Sequence, residues 1–200
     1  EDMKSYDGHA CATNCTVVPV VTPMIGMKSL GIKSVTIRTR QALSGAGWKL
    51  LFDAEALSGN VNPFIPQEEE KLIAELKYLL GIDVPVIASC NRVSERDGHF
   101  VSVGVELSRE TTVEEVEELM KIPTLGLPSS PKLVNEIIDD SPTRQEYLWN
   151  GRGMTTTVGN IRVEGNIVRY DALSHNTVRG AAGGVILLAE FAVQESYITK

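Results

Sequence analysis

Residues 84–107 read VPVIASCNRVSERDGHFVSVGVEL, and the fold class turns on how this stretch pairs. Val84–Val93 and His99–Leu107 are both rich in β-branched and apolar residues, which pack well on a pleated surface. SERDG lies between them, and its Asp97-Gly98 pair suits the left-handed positions of a tight turn. The spacing predicts a hairpin with Asp97–Gly98 at its tip.

Helices are expected on both sides. QEEEKLIAELKYLLG (67–81) puts Leu72, Ile73, Leu76, Leu79 and Leu80 on one face, with acids in the first turn that suit the helix dipole. RETTVEEVEELMKI (109–122) opens with a capping box, Thr112 followed by Glu115. Further out, SVTIRTRQ (34–41) alternates as a strand before ALSGAG breaks it, and an irregular stretch follows to about Pro66. Asn14 to Gly31 reads as a helix despite Pro19 and Pro23. Residues 122–150 read as loop with short extended pieces near Lys132–Val134, and 153–173 as a second hairpin. A small-residue run, RGAAGG, then leads into an apolar C-terminal helix. The predicted fold class is α+β: a mixed, mostly antiparallel sheet with helices packed on one face.

The totals exclude several classes. Two hundred residues suit one domain. A net charge of −7 argues against nucleic acid as a partner, since phosphate binding needs clustered basic residues. No apolar run reaches the ~20 residues of a membrane helix, and EDMKSYDGH has no signal-peptide character. Three cysteines, an odd number, read as reduced thiols in a cytoplasmic protein. No GxGxxG follows a strand and no GxxxxGK[ST] occurs, so the chain itself carries no nucleotide-binding fold.

The chemistry concentrates in HACATNCTVVP (9–19). His9, Cys11 and Cys15 could form part of a zinc site, but structural zinc wants four ligands and Cys90 stands alone. A Cys11–Cys15 disulfide fits poorly with a cytoplasmic protein, and free cysteine is often just a small buried hydrophobe. Cys15 allows another reading. It follows the cap residues Thr13 and Asn14, so it would lie in a helix's first turn, where unpaired N–H groups lower a thiol's pKa and can hold an oxyanion. His99, after Gly98, is then the candidate base.

TNCT (13–16), RQALSGAG (40–47), EEEKLIAELKYLLG (68–81), ASCNRVSERDGH (88–99) and HNTVRGAAGG (175–184) occur in that order. Together they resemble the catalytic and dimerisation domain of the aspartate-semialdehyde dehydrogenase family, archaeal and fungal type, with malonyl-CoA reductase a close relative. The resemblance spans nearly the whole chain. It implies a glyceraldehyde-3-phosphate-dehydrogenase-like C-terminal domain over 1–200, and an NADP-binding Rossmann domain in front of it that this chain lacks. By position, Cys15 matches the nucleophile, His99 the acid–base residue and Gln41 the glutamine that orients the intermediate. Arg92 matches the binder of the substrate carboxylate, Glu75 that of the amino group, and Asn176 the residue beside the nicotinamide carboxamide.

Three residues after that glutamate the family usually has a phosphate-binding lysine, and here the position is Tyr78, which favours a CoA thioester. Glu75 and ASCNRV fit the aspartate-semialdehyde enzymes better. WKLLFDAEALSGN after SGAG departs from the usual turn. The resemblance implies NADP as cofactor, a small-molecule substrate, a homodimer or homotetramer, and a Rossmann domain or chain as partner. A CoA-dependent acyl reductase and a non-catalytic dimerisation module are the rivals.

Overall fold

The computed structural model describes residues 10–198. The chain opens with α1 (Val17–Met27) and β1 (Ile32–Gln41), followed by the short helices α2 (Trp48–Leu51) and α3 (Ala54–Leu57). Next come α4 (Glu68–Leu80), β2 (Val86–Arg92), β3 (His99–Leu107) and α5 (Val113–Met120). The rest is β4 (Asn135–Ile137), α6 (Arg144–Tyr147), β5 (Thr156–Glu164), β6 (Ile167–Ser174) and α7 (Gly183–Gln194). Pro19 costs α1 nothing, because the first-turn N–H groups have no intrahelical acceptor. Gly81 closes α4 in the left-handed conformation, its N–H on the carbonyls of Lys77 and Tyr78. Thr112 caps α5 by accepting from the Glu115 N–H, but the Glu115 carboxylate goes to Arg109 and Thr111, so only half the capping box forms.

The strands lie in the order β2-β1-β3-β6-β5-β4, with β1–β2 and β4–β5 parallel and the other three pairs antiparallel. The expected hairpin of β5 and β6 is present. The one expected between β2 and β3 is not, because β1 runs between them and bonds to both. Crossing one strand means spanning about 9–10 Å, two interstrand spacings, which the five residues of SERDG can do. That loop arches over the end of β1, where Glu95 and Arg96 accept from the N–H groups of Leu43 and Ser44. The parallel β1–β2 pair needs a crossover, and α4 provides it.

α1, α4 and α5 cover one face of the sheet. Val20, Met24, Leu72, Leu76, Val116 and Met120 pack with Val35, Val101, Val105 and Val168 in one core. The other face is bare and largely polar, carrying Thr36, Arg38, Arg40, Ser102, Glu106 and Asp171. At one end of the sheet, Gln41 pairs with Arg92, Arg40 with Phe100 and His99 with Ser174. Arg92, Gln41, His99 and Ser174 therefore form one row across four strands.

Candidate active site

Cys15 sits just before α1, and its Sγ is 3.2 Å from His99 Nε2. On the other side of the ring, His99 Nδ1 accepts the Ala42 N–H at 3.2 Å. A backbone N–H can only donate, so the neutral imidazole carries its proton on Nε2 and offers it to the sulfur. Burial, reinforced by the positive charges of Arg92 and Arg144, pushes the His99 pKa down to about 3. At neutral pH His99 is an uncharged hydrogen-bond donor.

Cys15 differs from its expected setting in two respects. It precedes the helix rather than lying in its first turn, and the adjacent N–H groups are taken: Thr16 N–H goes to Asn14 Oδ1 and Val17 N–H to the Asn14 carbonyl. The thiol is not acidified. Burial raises its pKa, the negative charge of Glu68 adds to this, and Thr16 and Arg92 oppose it only in part.

Glu68, which the sequence reading passed over, is the hub beneath the cysteine. It is buried at the start of α4 and accepts from Asn14 Nδ2, Thr16 Oγ1 and Gln41 Nε2 at 2.9–3.2 Å. Among the described residues no cation lies within ion-pair distance of it. Gln41 is thus fixed on the carboxylate that brackets Cys15. Arg92, also buried, gives Nη1 to the Ala42 carbonyl at 2.6 Å, and among the described residues its further donors are unspent. Glu75 sits two turns further along α4 and accepts the Asn14 N–H at 2.8 Å. Asn176 is buried at the end of β6.

His9 lies outside the described residues, so the zinc reading of His9, Cys11 and Cys15 falls partly beyond them. All three cysteines are free thiols.

A family model described as "Semialdehyde dehydrogenase, dimerisation domain" matches residues 21–179. The chain belongs to this family. Among relatives of the semialdehyde dehydrogenase domain, the aspartate-semialdehyde dehydrogenase of Archaeoglobus fulgidus is 39% identical over 98% of the chain and 61% of its own length. The malonyl CoA reductase (NADP) of Metallosphaera sedula is 29% identical over 95% of the chain and 58% of its own length. Among solved structures, the Candida albicans aspartate-semialdehyde dehydrogenase with NADP superposes with a TM-score of 0.74 at 29% identity, covering 94% of the chain and 58% of that structure. The Vibrio cholerae aspartate semialdehyde dehydrogenase II, with a TM-score of 0.74 at 20% identity, shares the fold. The chain spans about three fifths of the length of the curated relatives it matches.

In this semialdehyde dehydrogenase domain both Glu68 and Glu75 reach the Cys15 segment, the first through the Asn14 and Thr16 side chains and the second through the Asn14 N–H. Three residues after Glu68 stands Lys71 and three after Glu75 stands Tyr78, and both side chains are exposed. The expected glutamate–lysine spacing is therefore met one turn-pair earlier. Glu68→Gln is expected to lower the pH midpoint of Cys15 alkylation and speed the reaction several-fold at neutral pH, because it removes a charge that holds the thiol protonated. A midpoint that does not move, with Cys15 mapped against Cys11 and Cys90, would discount Glu68's electrostatic role.

Proposed function

We propose that the chain is the catalytic and dimerisation domain of an NADP-dependent enzyme that converts L-aspartate 4-semialdehyde and phosphate to aspartyl phosphate. The observation that carries this reading is the Cys15–His99 pair, flanked by a buried cation, Arg92, and a buried anion, Glu68, that makes no ion pair among the described residues. A substrate bearing both a carboxylate and an ammonium matches that pair of charges. Arg92, with Nη1 fixed on Ala42, holds the carboxylate through its remaining donors. Glu68 takes the ammonium, whose charge cancels the one that keeps Cys15 protonated.

With that charge cancelled, the Cys15 thiol releases its proton to solvent, and the thiolate adds to the aldehyde carbon. The oxygen, becoming negative, accepts a hydrogen bond from His99 Nε2–H. When bound, NADP supplies the acceptor for the substrate's hydride. Phosphate attacks the resulting Cys15 thioester, and the departing thiolate is again stabilised by Nε2–H.

This end of β6 suits the cofactor's amide. Ser174 Oγ and His175 Nε2, on the two residues before Asn176, are buried polar atoms with no partner among the described residues, and Asn176 is the residue the resemblance sets beside the carboxamide. The exposed apolar residues Val185, Ile186 and Val193 of α7 suit a covering Rossmann domain, and the bare sheet face suits pairing of two subunits. Among the described residues no helix is long and apolar enough to cross a membrane.

The acyl acceptor tests the reading. In the enzyme assembled with its Rossmann domain, phosphate is expected to support NADPH formation from the semialdehyde, and CoA is not. Lys71→Met should raise the KM for phosphate about tenfold or more, as losing one charge-assisted hydrogen bond does, with Tyr78→Phe silent. Turnover with CoA and none with phosphate would assign the malonyl-CoA reductase type of activity instead.

A further inference from the structure

Asn176 makes two hydrogen bonds, and both reach the mount of His99. Its Oδ1 accepts the Gly98 N–H at 2.8 Å, immediately before the histidine, and its Nδ2 donates to Ser44 Oγ at 2.8 Å. Because the Gly98 N–H is an obligate donor, the orientation of the amide follows from chemistry alone. Gly98 has φ +91 and is held on its other side by Arg144 Nε, which donates to its carbonyl at 3.2 Å.

Ser44 belongs to the turn that confines the imidazole. Ala42, at the start of that turn, donates to His99 Nδ1, and Gly45 lies so close to the ring that an added Cβ would stand 2.9 Å from Cε1 and 3.0 Å from Nε2. Asn176 therefore ties together the two loops that set the ring's position.

The same short segment reaches the nucleophile. The Gly180 N–H bonds back to the His175 carbonyl at 3.1 Å, which closes the segment on itself. An added Cβ on Gly180 would lie 2.6 Å from Cys15 Cβ and 2.8 Å from its Cα, so this backbone is packed directly against the cysteine. Residues 175–180 thus touch the sulfur-bearing residue at one end and brace the histidine at the other.

We propose that Asn176 is a positioning residue for the Cys15–His99 pair, holding Nε2–H on the sulfur through Gly98 and Ser44. This role is separate from any contact it makes with a cofactor, and it rests on the reading of the pair as catalytic. It therefore operates with no cofactor present.

The test is iodoacetamide alkylation of Cys15 across pH, in the full chain without substrate or cofactor, with peptide mapping and a parallel thermal melt. His99→Asn should slow alkylation at pH 8 about tenfold by removing one hydrogen bond to the thiolate. Asn176→Ala should slow it to a similar extent, and the Asn176→Ala/His99→Asn double variant no further. Ser44→Ala, which cuts only the Ser44 bond, should give an intermediate loss while the fold is kept. A wild-type alkylation profile in both Asn176→Ala and Ser44→Ala, or a lowered melting temperature with the profile intact, overturns the proposal. If His99→Asn itself leaves alkylation unchanged, the failure lies with the catalytic pair, and the function proposed above loses its main support.

Discussion

Cys15→Ala is expected to lower the turnover of the assembled dehydrogenase by about 10⁴-fold or more, because covalent catalysis then has no nucleophile. Cys90 cannot substitute. It is buried on β2, and burial pushes its thiol up to about 11. His99→Asn is expected to cost less, about 10²–10⁴-fold in kcat, the usual span for one group serving the oxygen and sulfur. The histidine should leave no acid limb in the rate profile between pH 5 and 8, since it is already neutral there. Steady-state rates of the two variants and the wild type over that range decide the matter. Residual turnover within tenfold of wild type in Cys15→Ala would end the thioester mechanism for this chain.

Acid should destabilise the fold strongly, and much of the effect should trace to His99. Its pKa is about 3 in the folded chain against 6.5 in the open. Between those values the unfolded chain binds a proton that the native site refuses. The contribution to stability is therefore complete above about 6.5 and is lost as pH falls toward 3, at up to ~1.4 kcal/mol per pH unit. His175 shifts in the same direction, chiefly through burial. Urea unfolding at pH 7, 6, 5 and 4 should show the wild type losing stability faster than His99→Asn, even if the variant starts lower. Equal slopes for the two proteins would mean that the imidazole is far less shielded than its burial implies.

The elements themselves were largely legible in the sequence, because periodicity and capping are local. α4, α5 and the β5–β6 hairpin follow from apolar spacing, a Thr112 cap and a Gly165-Asn166 turn. Pairing was less legible. SERDG carries a good turn signal, and nothing within residues 84–107 announces that β1 will lie between the flanking strands. Glu68 was missed because three successive acids all suit a helix N-terminus. The signal was present: Glu68 stands four residues before Leu72, on the stripe that continues through Leu76 and Leu80 and is buried throughout. An acid in line with a buried leucine stripe needs partners, and Asn14, Thr16 and Gln41 are those partners. RGAAGG was legible as a run of small residues before the last helix, but not that its Gly180 packs on Cys15. Small residues mark close approach without saying to what.

The placement of β1 between β2 and β3 also imposes an order on folding. A simple hairpin would zip from its turn and bring the ends of two strands together in microseconds. Here the bond from Arg92 to Ala42 closes a span of 50 residues, and the contact of Cys15 with His99 closes one of 84. Such closures come late, since their chain entropy must be offset by contacts already made. On the ribosome or after refolding, the chain therefore carries Cys15 as an ordinary thiol through most of its assembly. It acquires its histidine, its arginine and its buried carboxylate only when the sheet is complete.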